Sequence, residues 1–194
     1  MRHAALVTLL AALVTRLAAC ASPATPPSSP SPPTATTPAT AASSSAPEPA
    51  TAFFPAPYSA AQIRDATRPG RSYTWRVEIP ALPASENVTT FTRVDAEGAE
   101  ITSNGKPRRV TWEELRKHAE FPRTWVTTHD ETVTVPAGTF DCIAYVVTDP
   151  AAGEVSTFYF AKSLPGAPVL FFSDKAGTRL RTSTLVRYAS GLQP

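Results

Sequence analysis

Residues 131–162 read Glu-Thr-Val-Thr-Val-Pro-Ala-Gly-Thr-Phe-Asp-Cys-Ile-Ala-Tyr-Val-Val-Thr-Asp-Pro-Ala-Ala-Gly-Glu-Val-Ser-Thr-Phe-Tyr-Phe-Ala-Lys. Three runs rich in β-branched and aromatic side chains, 131–136, 139–149 and 154–161, are separated by Pro136-Ala137-Gly138 and Asp149-Pro150-Ala151-Ala152-Gly153. Residues of that kind favour strands, and turns this short join only antiparallel neighbours. The pattern extends in both directions. Towards the C-terminus it predicts strands at 168–173 and 178–189 around Asp174-Lys175-Ala176-Gly177. Towards the N-terminus, Tyr73, Trp75, Val77 and Ile79 alternate with Ser72, Thr74, Arg76 and Glu78, a half-buried strand. Further strands are expected at 88–95, 99–103, 106–110 and 123–128. Asn104-Gly105 is a hairpin turn, and His129-Asp130-Glu131 is a turn between 123–128 and 131–136. So many strands curl rather than lie flat. The expected fold is mainly β (α+β): a single strongly curved antiparallel sheet or open half-barrel, with two short helices on its concave side.

The helices declare themselves by their starts. Ser59 precedes Gln62 by three residues, and Thr111 precedes Glu114 by three, the spacing of a capping box. Tyr58 with Ile63, and Val110 with Leu115, are placed as hydrophobic staples. The first helix is expected at 60–67, stopped by Pro69-Gly70. The second is expected at 112–120, stopped before Pro122, with Trp112, Leu115 and Ala119 on one face.

The run Val133-Thr134-Val135-Pro136-Ala137-Gly138-Thr139-Phe140-Asp141-Cys142, followed by Phe158-Tyr159-Phe160-Ala161-Lys162-Ser163-Leu164-Pro165-Gly166, resembles hairpins of uncharacterised bacterial periplasmic proteins and lipoproteins. Some of those are similar to the half-barrel of the lipoprotein carriers LolA and LolB. The resemblance implies a fold and a compartment. It brings no functional motif that maps residue by residue onto this chain.

Ahead of the β-rich part the composition changes abruptly. Of the 32 residues 21–52, all but Glu48 are Ala, Pro, Ser or Thr, whereas all 17 aromatic residues lie from Phe53 onward. A segment without aromatics and with frequent proline buries too little apolar surface to offset the entropy of ordering it, so 20–52 reads as a disordered tether. The remaining 53–194 is long enough for one domain with its own core. Before the tether, the apolar stretch 4–14 is too short to span a bilayer but fits the core of an export signal. Leu17-Ala18-Ala19-Cys20 resembles the lipobox of bacterial lipoprotein precursors. That resemblance implies a signal peptide over 1–19 and an acylated Cys20 as the mature N-terminus, from which Arg16, a charge just before the lipobox, departs. By resemblance to enterobacterial sorting, Ala21 implies the outer membrane, with the domain in the periplasm.

The signal carries Arg2 and Arg16, so its removal leaves 16 basic against 16 acidic side chains. A neutral, exported chain is not expected to bind nucleic acid. No P-loop, G-x-G-x-x-G, H-E-x-x-H or G-x-S-x-G occurs in the sequence. Cys142 shares a predicted strand face with Phe140, Ala144 and Val146 and reads as a small buried hydrophobe. A nucleophilic role would need a base such as His118 or His129. Glu114 and His118, at i and i+4, would make half a metal site, but Glu114 is spoken for by the capping box. No enzyme activity, cofactor or metal is therefore expected.

Two features point to binding instead. Arg179, Arg181, Ser183 and Arg187 are predicted to share one face of the last strand, with Arg76 on a similar polar face; such a stripe is either a solvated face offset by nearby acids, the commoner case, or a site for carboxylate or phosphate groups. Phe158 and Phe160 point away from Tyr159, and Val169-Leu170-Phe171-Phe172 puts large apolar groups on both sides of its strand. Either both faces are core, or the curved sheet encloses an apolar groove for an acyl chain or an apolar peptide segment. Trp75, Phe158, Phe160, Phe171, Arg179 and Arg181 are the candidate ligand-contact residues. The alternative partner is an envelope protein met through a sheet edge or the arginine face.

Overall fold

A computed structural model describes residues 52–191. The expected signal peptide, the acylated Cys20 and the tether up to residue 51 lie outside the described residues. The described residues all belong to one compact unit.

Both helices start where the capping boxes place them. In α1 (Ala60–Ala66), Ser59 Oγ accepts from Gln62 N–H while the Gln62 side chain accepts from Ser59 N–H; in α2 (Trp112–Lys117), Thr111 and Glu114 do the same. These reciprocal bonds occupy amides that a helix start leaves unpaired. Both helices end earlier than expected, α2 by three residues, because Ala119 and Glu120 bond back three residues and tighten the chain ahead of Pro122.

The strands are β1 (Ser72–Glu78), β2 (Ser85–Val94), β3 (Gly98–Ser103), β4 (Lys106–Thr111), β5 (Val126–Val135), β6 (Gly138–Asp149), β7 (Glu154–Ala161), β8 (Leu170–Lys175) and β9 (Thr178–Ala189). They form one antiparallel sheet in the order β4-β3-β2-β1-β9-β8-β7-β6-β5. Two meanders, β1–β4 and β5–β9, are thus joined by the β1–β9 pair. The sheet is not closed: β4 and β5 are its edges. Asn104-Gly105 forms the β3–β4 turn with φ of 48° and 79°, the left-handed pair that a two-residue hairpin needs.

One expected turn is corrected. His129, Asp130 and Glu131 lie in the middle of β5, paired in unbroken register with Ala144, Ile143 and Cys142, and a short 3-10 turn at Arg123–Trp125 precedes the strand. The predicted strands 123–128 and 131–136 are therefore one. A polar triplet looked like punctuation, but on an edge strand exposed on both faces polar side chains cost nothing.

Period 2 and the pairing register assign every side chain to a face. One face carries Tyr73, Trp75, Phe91, Ile101, Val110, Tyr145, Phe158, Phe160, Phe171 and Leu185 and is called here the aromatic face. The segment before α1 crosses it: Phe54 packs edge-on against Tyr145, and Tyr58 against Phe160, with Tyr58 Oη donating to Ala161 O at 2.6 Å. Phe121, between α2 and β5, tilts onto Phe158 at 5.1 Å. On the opposite face Val133, Val135, Cys142, Ala144, Tyr159 and Ala161 are also buried. Hence β6 and β7 show apolar residues on both sides, with core under each.

Candidate functional site

The candidate residues on the aromatic face are placed by β1, β7 and β8. Pairing of Phe158 with Phe171 brings their rings to 4.7 Å in a near-parallel stack, and Phe158 also lies 6.1 Å from Phe160. Phe160 is buried between Tyr58 and Tyr145, so it is a core residue. Trp75 stacks on Tyr73 at 5.0 Å and donates through Nε1 to Pro168 O at 3.2 Å, across the β7–β8 loop. Trp75, Phe158 and Phe171 are half-buried.

The arginine stripe is broken up. The β8–β9 register slips between Ser173 and Asp174, so Arg181 sits opposite Ser173 on the aromatic face whereas Arg179 sits opposite Asp174 on the other. A second slip, between Thr74 and Trp75, puts Arg187 with Thr74, away from Ser183 and Leu185. Each bulge inserts one residue and inverts the in-and-out parity beyond it. Arg179 accordingly lies 3.8 Å over the Phe172 ring and pairs with Asp174 at 2.5 Å. Arg187 pairs with Glu86, and Arg76 with Glu78. Arg181 alone of these joins the aromatic candidates, 5.9 Å over Phe171.

Further polar atoms mark this face. Arg181 Nε and Asn87 Oδ1, like Tyr73 Oη on the same face and Arg71 Nε beside it, are buried and have no hydrogen-bond partner among the described residues. Asn87 is the β2 residue opposite Trp75. A buried polar atom without a partner costs about 1–3 kcal/mol, so such atoms are scarce in native folds and call for an explanation. Asn87 carried no sequence signal apart from the glycosylation-sequon match Asn87-Val88-Thr89.

The other sequence candidates disperse. Cys142 is 1% exposed, and burial, with Asp141 and Glu131 adding to it, pushes its thiol up to about 11. His118 and His129 are exposed, and His129 Nε2 lies 3.2 Å from Glu131. Glu114 is held by Thr111, and no group of three His, Cys, Asp or Glu side chains that could hold a metal occurs among the described residues. Because only the thiolate reacts, Cys142 is expected to resist a thiol reagent in the folded chain at neutral pH and to react fully after unfolding in urea. Rapid labelling of the native protein would reverse this reading.

A residue that the sequence did not single out forms a buried polar node. Arg71 is 1% exposed, yet no carboxylate lies within ion-pairing distance of it among the described residues. Its Nη1 donates to Ala66 O at 3.1 Å and Thr67 Oγ1 at 2.9 Å, its Nη2 donates to Pro165 O at 2.8 Å, and its guanidinium lies 5.1 Å from the Tyr73 ring and 5.7 Å from that of Tyr188. Burial raises the Tyr73 phenol above its ordinary range, against the pull of the nearby guanidinium. No sequence pattern reveals this buried arginine, since its partners are carbonyls, a hydroxyl and rings rather than a carboxylate at a telling spacing.

No family model, curated protein or solved structure matches the chain.

Proposed function

We propose that the chain is a lipid-anchored lipoprotein of the bacterial cell envelope, held in the outer membrane through Cys20, whose periplasmic β domain binds an amphiphile without chemical catalysis. The ligand class is an acyl chain or an apolar peptide segment. Its apolar body lies along Trp75, Phe158 and Phe171, and separate oxygen- or nitrogen-bearing groups meet Arg181 on β9 and Asn87 on β2. The observation that carries this reading is the coincidence, on one face, of half-buried rings with buried polar atoms that lack partners, Arg181 Nε and Asn87 Oδ1 beside the candidate rings and Tyr73 Oη next to them. A donor from Arg181 and an acceptor from Asn87 suit a ligand that is apolar with a few polar groups. The sheet is read as an open half-barrel. The bond from Ala137 N–H to Leu185 O at 3.3 Å supports this, since it links the β5–β6 turn to β9 across β7 and β8.

Native mass spectrometry of the mature chain, and titration with a fluorescent fatty acid, test the site. Saturable binding that weakens at least tenfold in Trp75→Ala and in Phe171→Ala is expected. A chain without co-purifying ligand and without saturable binding would sink the proposal. A second reading, an assembly factor meeting an envelope protein by strand addition, is favoured by the β5 edge. Its residues 127–132 are exposed and contain no proline, unlike the β4 edge with Lys106, Pro107, Arg108 and Arg109. Crosslinking in cells from Thr128→Cys separates the two readings.

A further inference from the structure

The β1–β2 connection is Ile79-Pro80-Ala81-Leu82-Pro83-Ala84, six residues without a charge, all of them exposed. Leu82 is 62% and Ile79 41% exposed, the former the most exposed of the large hydrophobic side chains described. The loop is also shaped. Leu82 N–H donates to Ile79 O at 3.1 Å, Ala81 sits at φ 64°, and prolines flank the Ala81-Leu82 tip. Proline fixes φ and removes freedom that the loop would otherwise lose on docking. Leu180, also exposed, lies just before the β9 residues that pair with the end of β1.

The strand directions say what this tip faces. β1 ends, β9 begins, β8 ends, β7 begins, β6 ends and β5 begins at one end of the sheet, as the pairs Glu78 with Thr182, Lys175 with Thr178, Glu154 with Lys175, Asp149 with Glu154 and Val126 with Val147 require. The described chain enters at that same end, because Ala52 O accepts from Arg123 N–H just ahead of β5. Thirty-one residues separate Cys20 from Ala52, a length that would span about 30 Å on average if the segment is the tether that its composition implies. A leash that short holds the tip near the anchoring bilayer at an effective concentration on the order of millimolar.

The geometry points to a membrane-docking element: the 79–84 loop, with Leu82 at its tip and Ile79 and Leu180 beside it, seats on the surface of the bilayer that holds the acylated Cys20. The inference rests on the lipid-anchor reading above. Uncharged apolar side chains on a braced loop enter the acyl–headgroup boundary with little to desolvate. An otherwise weak contact is sustained by the leash. Docking would orient the domain and hold one end of the sheet, with the mouth of the aromatic face, against the lipid.

The full chain, acylated at Cys20 and reconstituted in phosphatidylethanolamine–phosphatidylglycerol vesicles, tests this with an environment-sensitive fluorophore on Leu82→Cys. The same label on Ala96→Cys, in the β2–β3 turn at the far end of the sheet, is the control. Label at position 82 is expected to shift to the blue and to be quenched several-fold by lipids carrying a quencher on the acyl chain. Label at position 96 should do neither. Adding Ile79→Asp and Leu180→Asp should abolish the shift at 82 while the chain still floats with the vesicles. If the chain floats but label 82 behaves as in water, docking is overturned and the anchor stands. A chain that does not float at all removes the anchor and the docking with it.

Discussion

Replacing Arg71 by alanine is expected to destabilise the domain by about 3 kcal/mol, measurable as a lower urea midpoint with an unchanged slope. Three terms decide the sign. The guanidinium makes three hydrogen bonds, to Ala66 O, Thr67 Oγ1 and Pro165 O, and bonds to a charged donor are worth about 1.5–3 kcal/mol each. Those to Ala66 and Pro165 are part-buried, where water can take over part of the loss; that to Thr67 is buried. Two flanking rings add roughly 1 kcal/mol apiece. Against this stands the cost of holding a charge out of water without a counter-ion, several kcal/mol that removal would recover. The balance tips through packing, because Arg71 is the largest fully buried side chain described and alanine would leave a cavity worth about 2–5 kcal/mol. Arg71→Met separates the terms. It keeps most of the volume and loses the bonds, so a loss of about 1–2 kcal/mol would remain. A methionine variant as stable as the parent would show that the polar node contributes nothing net.

Gly98→Ala should cost about 3 kcal/mol, roughly 10 °C in Tm for a domain of this size. A Cβ at Gly98 would stand 2.1 Å from the Val110 carbonyl oxygen and 3.0 Å from both Val110 C and Thr111 Cα. All three are backbone atoms, so no side-chain rotation relieves the clash. β3 and β4 must part where Gly98 pairs with Thr111, the N-cap of α2, and next to the fully buried Ala99 and Val110. The β2–β3 turn would be disturbed as well, since Asp95 Oδ1 accepts from Gly98 N–H and Gly98 O accepts from Asp95 N–H. Gly153→Ala is the comparison: nothing lies within 4 Å of its Cβ, and only its left-handed φ of 63° opposes alanine, worth about 1 kcal/mol. Equal losses at the two positions would show that the β3–β4 approach is not the cause.

The elements most legible in the sequence were those whose chemistry closes within four residues. Ser59 and Gln62, or Thr111 and Glu114, bond each other wherever the chain goes, and Asn104-Gly105 accepts left-handed φ at low cost. The aromatic candidates were legible only as types. Phe160 and Phe158 lie on one face as alternation requires, but that Phe160 is sealed by Tyr58 and Tyr145 while Phe158 stays half-buried depends on residues up to a hundred positions away. The arginine stripe failed for a different reason. Alternation extrapolates parity along a strand, and one inserted residue reverses it without leaving a mark in the sequence.

By itself the sequence determined a β-rich domain behind a Pro-, Ala-, Ser- and Thr-rich segment, the starts of both helices and most of the turns, because these follow from composition and from bonds between near neighbours. The tertiary structure decided that β1 pairs with β9, that Arg179 and Arg181 serve opposite faces, and that Arg71 lies buried beneath two tyrosines. The first and last depend on contacts between segments about a hundred residues apart, and the second on a slip in the β8–β9 hairpin that no local pattern marks.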